Sequence, residues 1–79
     1  MTKLDQYGLT SEQWEYLIDQ WVIGRNGERD RNILRRKLII GITFDDLAGE
    51  FDLSKQRIEQ IVYGRFKMLI SHIETVRKS

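Results

Sequence analysis

The stretch at residues 43–69, TFDDLAGEFDLSKQRIEQIVYGRFKML, decides the fold. It holds two helix starts eleven residues apart, Thr43 and Ser54. Thr43, with Asp46 three positions on, and Ser54 each place a side-chain oxygen where it can accept a backbone N–H at the head of a helix. Phe44, Leu47, Ala48 and Phe51 then share one side of a first helix, and Ile58, Ile61, Val62 and Leu69 share one side of a second. Ala48 is the small residue that two closely crossing helices require. Between the helices, Asp52 stands where the first must stop and the chain must turn sharply. That position calls for a positive φ, which glycine adopts most easily and aspartate is among the few others to tolerate.

A short helix, a tight turn and a longer helix make the pattern of a helix-turn-helix, whose second helix enters the major groove of DNA. Residues 28–69 resemble the C-terminal DNA-binding region, region 4, of bacterial sigma-70-type factors. The matching segments follow in order: an Arg/Glu-rich helix, ERDRNILRRKL; a Gly-containing link, IGIT; a first helix, FDDLAGEFD; and LSKQRIEQIVYGRFKML. The strongest part is LSKQRIEQI, where family members carry Ser or Thr, a basic residue, a polar residue, Arg, an aliphatic, a variable residue, Gln and Ile. The resemblance covers roughly half the chain, and the tetrahelical response-regulator domains share its outline. It implies duplex DNA and RNA polymerase as partners. It also implies base-edge contacts at Lys55, Gln56 and Gln60, with Arg57 near the backbone. Two departures stand out. Gln56 occupies a position where an acidic residue that accepts from cytosine is frequent, and Glu59 one where Arg is frequent, so the preferred DNA need not be a −35 hexamer.

The chemistry of these residues points the same way without the resemblance. Gln56, Gln60, Tyr63 and Lys67 lie opposite the apolar side of the second helix, flanked by Arg57, with Lys55 on the exposed first turn. Gln pairs with adenine N6/N7, and Lys or Arg donates to guanine O6/N7, each such contact contributing about 1–3 kcal/mol of discrimination. Thr43, Ser54, Arg57, Tyr63 and Lys67 are candidate contacts to the DNA backbone, since short hydroxyls, phenols and cations all meet phosphate oxygens well. Thr43 and Ser54 also serve as plain helix caps.

The 79 residues allow one domain with a small core, without room for the further domains of a full sigma factor. There is no cysteine, which excludes disulfides and thiolate metal sites. No apolar run approaches the ~18 residues of a membrane span and no signal-peptide pattern opens the chain, so a cytoplasmic setting, bacterial or phage, is expected. Net charge is only +1, but residues 1–24 hold one Lys against four carboxylates, which leaves +4 for the remainder. Asp45, Asp46, Glu50, Asp52 and Glu59 lie inside the motif and oppose attraction to phosphate. Modest, strongly salt-dependent DNA affinity follows, or binding helped by a partner. Gly-rich phosphate loops, metal-ligand spacing and nucleophile–base arrangements are missing, so neither an enzyme nor a bound cofactor is indicated.

The rest of the chain reads as support. Residues 1–8 show no periodicity and read as a tail. Thr10 and Gln13 form a capping box, with Leu9 and Trp14 as a hydrophobic staple, heading a helix over 11–23. Trp14, Leu17, Ile18, Trp21 and Val22 make its apolar stripe, which is either core or a partner-facing surface. A helix over 28–40, with Asn26 as its cap, turns Ile33, Leu34, Leu38 and Ile40 inward. Its Arg31, Arg35, Arg36 and Lys37 either lie along phosphates, Arg35 and Arg36 above all, or pair with neighbouring carboxylates. Gly41 closes it. The third helix, 44–51, carries Gly49, for which the sequence offers no reason. The fourth keeps its apolar phase through Ile73 and Val76, so it is expected over 55–77, with Arg65 and a packing His72 inside the stripe. Its C-terminal half either packs on the first helix or forms the seam of a homodimer.

The sequence therefore predicts an all-α, four-helix domain over 9–79 containing a helix-turn-helix. Its expected function is sequence-specific duplex DNA binding by a small transcriptional regulator or sigma-region-4-like adaptor. The rival is a protein-interaction module that uses Trp14, Trp21 and the C-terminal helix.

Overall fold

The computed structural model describes residues 8–74. Among them the fold is all-α: α1 (Ser11–Trp21), α2 (Gly27–Leu34) continuing into a π-helical segment (Arg35–Ile40), α3 (Phe44–Phe51) and α4 (Lys55–Ser71). The capping box forms as its residues dictate: the Thr10 side chain accepts from Gln13 N at 3.2 Å, and Thr10 N–H donates to Gln13 Oε1 at 2.9 Å. Trp14, Leu17, Ile18 and Val22 meet Ile33, Leu34, Leu47, Ile58, Ile61, Val62 and Leu69 in one buried cluster, with Leu9, Phe44, Ala48 and Leu53 packed around it. Each helix thus contributes one apolar side to a shared core, and burial of that side supplies the main driving force for folding.

Three expected boundaries shift. α1 stops at Trp21 and not at residue 23, because Val22, capping it with φ −92 and ψ 83, swings Ile23 out to 60% exposure. The next helix begins at Gly27. Asn26 precedes it in the left-handed region at φ 61 and makes no side-chain capping bond, so its role is the turn and not the cap expected of it. Glycine suits position 27 because a Cβ there would stand 3.2 Å from Arg31 Nη1 and 3.5 Å from the Val22 carbonyl oxygen. That crowding accompanies a useful contact, in which Arg31 donates to the Val22 carbonyl at 2.8 Å and ties α2 to the end of α1.

The expected single helix over 28–40 changes pitch at Arg35. A π-helix bonds i→i+5 and turns through a smaller angle per residue, so the α-helical wheel loses its phase there. Ile40, placed inward by that wheel, is consequently 61% exposed. Gly41, at φ 91, ends the segment, and both its N–H and that of Ile42 reach back to the Arg36 carbonyl.

α4 runs to Ser71, where a turn at His72 and Ile73 interrupts the helix expected over 55–77, and residues 75–77 of that expectation lie outside the described residues. The Ser71 hydroxyl donates to the Met68 carbonyl at 2.6 Å, and the next N–H, of His72, turns to the Leu69 carbonyl at 3.0 Å. A side chain competing for a carbonyl in this way loosens a helix terminus. Leu69 and Ile73 nevertheless stay buried. Phe66 lies 5.8 Å from Trp14, and the His72 ring stacks on Trp21 with centroids 3.6 Å apart. The C-terminal stripe therefore packs on α1 within the same chain, while Val76 lies outside the described residues.

Asp30, one of the neighbouring carboxylates with which the arginines of its helix could pair, is 5% exposed, and it accepts from Arg29 Nε at 3.2 Å and from Arg65 Nε at 3.1 Å. Arg65, the cation within the apolar stripe of α4, thus has its counterion on α2. Asp30→Ala would strand it. A loss on the order of 2 kcal/mol is expected in urea unfolding, below the full value for a buried pair because both arginines keep some solvent, with part recovered in Asp30→Ala/Arg65→Ala.

Two glycines test the backbone argument in opposite directions. Gly49 lies inside α3 at ordinary φ with nothing within 4 Å of an added Cβ, whereas Gly41 requires φ +91. Gly49→Ala should raise stability by about 0.5–1 kcal/mol, and Gly41→Ala should lower it by about 1 kcal/mol or more, both read from denaturant midpoints.

Candidate DNA-reading face

The turn between α3 and α4 follows from three residues. Asp52 adopts φ 56, ψ 44, the left-handed conformation that its place required. Leu53 N–H then bonds back to the Ala48 carbonyl at 3.0 Å, closing the end of α3 in the Schellman manner. Ser54, extended at φ −69 and ψ 155, accepts from Arg57 N at 3.1 Å and starts α4. Thr43 does the same for α3 by accepting from Asp46 N at 3.1 Å. In both caps the oxygen acts as acceptor, which leaves each hydroxyl proton available to donate outward.

These caps fix the rotation of α4. Ile58, Ile61, Val62 and Leu69 are buried, so the opposite side must face solvent. Gln56, Gln60, Tyr63 and Lys67, at spacings of 4, 7 and 11 from the first, are all exposed, as are Lys55 and Arg57. At 1.5 Å per residue the face extends about 16 Å, long enough to follow the floor of a major groove about 12 Å wide. Arg57 and Lys67 pair with no carboxylate among the described residues. Lys55 lies 3.7 Å from Asp45, with both side chains well exposed. Such a pair is worth at most about 1 kcal/mol and exchanges easily for another partner.

The two arginines expected along the phosphate backbone are engaged elsewhere. Arg35 bonds Asp19, approaches Glu15 at 3.9 Å and donates to Asn32 Oδ1 at 3.2 Å. Arg36 meets the Glu50 carboxylate through both Nε and Nη2, the latter at 2.7 Å. The hydrogen bonds that Arg36 donates to Glu50 hold its guanidinium more firmly in the charged form. Lys37 behaves differently, with Nζ 4.2 Å from the centre of the Phe44 ring. That ring in turn contacts Tyr63, 5.6 Å away and tilted by 50°.

Sequence reasoning left two residues without a specific part. Lys37 had been grouped with its neighbouring arginines, and the pitch change that separates it from them has no signature in the hydrophobic pattern. Asp30 was traceable: a cation at position 65 inside an apolar stripe demands a buried carboxylate, and only its partner was missing from the reading.

Among the described residues, no three His, Cys, Asp or Glu side chains gather where they could hold a metal ion. No described helix is long and apolar enough to cross a membrane. The chain matches no protein-family model, no curated protein and no solved structure. Its function is therefore argued from its own residues. Ser54→Ala should cost about 1 kcal/mol in urea unfolding, while Ser54→Asp, an equally good cap, should stay within a few tenths.

Proposed function

We propose that α3, the turn at Asp52 and α4 act as a helix-turn-helix that binds duplex DNA, with α4 in the major groove. The protein then works as a small transcriptional regulator or as an adaptor of the sigma-region-4 kind, for which RNA polymerase is a further partner. One observation carries this reading. α4 buries one side and leaves on the other a row of Gln56, Gln60, Tyr63 and Lys67, headed by Lys55, with no glutamine of the row held by another side chain among the described residues.

Roles follow from chemistry. Gln56 and Gln60 suit adenine, and Lys55 suits guanine once it leaves Asp45. Ser54, Thr43, Arg57, Tyr63 and Lys67 suit phosphate oxygens around them. Arg35 and Arg36 contribute less than their charge suggests, because Asp19 and Glu50 already neutralise them. The interaction-module reading loses its main support, since Trp14 is 5% exposed and Trp21 is covered by His72.

Selection from random duplex DNA at two salt concentrations tests the proposal. The protein should recover a motif, more sharply at the higher salt, where non-specific attraction fades. Lys55→Ala/Gln60→Ala should keep its helical circular dichroism and lose about tenfold or more in preference for that motif. Failure to recover any motif at low salt would sink the proposal. A motif that survives the double substitution would move the reading face elsewhere.

A further inference from the structure

We infer that Lys37, and neither Arg35 nor Arg36, is the cation through which the π-helical segment holds the DNA backbone. This rests on the DNA-binding reading above and extends it to a phosphate contact beside the reading face. Three adjacent cations, RRK at 35–37, look equivalent in sequence. The structure separates them by what each one faces. Arg35 faces Asp19 and Glu15, and Arg36 faces Glu50, so neither arginine leaves a net positive charge where it stands. Lys37 faces the Phe44 ring at 4.2 Å. An aromatic ring attracts a cation through its quadrupole and carries no charge of its own, so the ammonium keeps its full positive charge.

Its position comes from contacts in series. The Phe44 ring that holds Lys37 also touches Tyr63 at 5.6 Å, and Tyr63, 55% exposed, sits on the reading face between Gln60 and Lys67. Phe44 directly follows Thr43, whose hydroxyl caps α3. Lys37 therefore flanks the face that enters the groove, where the sugar-phosphate wall of the groove would pass. The ring also restrains the long lysine side chain, so less rotamer freedom is lost on meeting a phosphate.

A cation without an intramolecular carboxylate gives up no ion pair when it meets a phosphate and releases counterions from the DNA, and each such contact steepens the salt dependence by about one unit of slope. Affinity should be measured by fluorescence anisotropy on one selected and one unrelated duplex over a series of salt concentrations. Lys37→Met keeps an apolar stem on Phe44 and removes the charge. It should flatten the log–log salt slope by about one and weaken both duplexes by a similar factor, while Lys37→Arg restores the slope. Arg36→Met should leave the slope unchanged. Lys37→Gln, checked by circular dichroism, removes the same charge in a second way should Met perturb the ring contact. An unchanged slope in the folded Lys37 variants, or a loss that instead follows Arg36→Met, overturns this assignment alone. Absence of duplex binding by the unsubstituted protein overturns it together with the proposed function.

Discussion

The left-handed backbone of Asp52 fixes the direction in which α4 leaves α3, and most of the molecule is arranged around that choice. With the chain turned there, Leu47 and Ala48 meet Ile58, Ile61 and Val62 in the shared core. The four bulky apolar residues of α4 then have only one way to face. Its polar residues point outward as a consequence, without needing any contact of their own to hold them. A non-glycine residue at φ 56 carries some strain, and the three-residue connection tolerates it because Leu53 and Ser54 are each tied back by hydrogen bonds. The outward face of α4 is in this sense a by-product of the packing on its other side.

Charge is distributed by a similar logic. A net +1 appears too small for a partner as anionic as DNA, yet the acidic residues are not spread evenly. Asp19 and Glu50 lie against Arg35 and Arg36, and Asp30 is buried between Arg29 and Arg65. These pairings knit α1, α2, α3 and α4 together and remove both signs from the outer surface. What remains on α4 is cationic or neutral apart from Glu59, which is half-buried. Overall charge is thus a poor guide here, since it sums charges that stabilise the fold with charges left for a partner.

Local rules explain which parts were legible in sequence. The caps at Thr10, Thr43 and Ser54, the turn at Asp52 and the buried faces of α1, α3 and α4 each depend on residues within a few positions of one another, and each stands where the sequence placed it. Most of the misses needed information from a distance or from backbone pitch. Nothing within residues 28–40 announces a π turn, so Ile40 was assigned inward and Arg35 and Arg36 were set ahead of Lys37 as phosphate contacts. The carboxylate on which Arg65 closes lies 35 residues earlier. At the end of α4 the choice is local but conformational, since it rests on the Ser71 hydroxyl taking up the Met68 carbonyl. For the reading face, the sequence supplied the side chains and their spacing. The engagement of Arg35 and Arg36 became visible only once α1 and α3 were in place beside them.

The two tryptophans give the protein a built-in optical record of its own closure. Trp14 lies in the core near Phe66, while Trp21 is covered face to face by His72, a residue just past the end of α4. An imidazole stacked this closely alters the emission of the indole beneath it, so Trp21 reports whether the last turn of α4 is seated on α1. With Trp14 replaced by Phe, that single emitter follows the seating of the end of α4 on α1 in real time, with no attached dye and with the reading face on α4 left untouched.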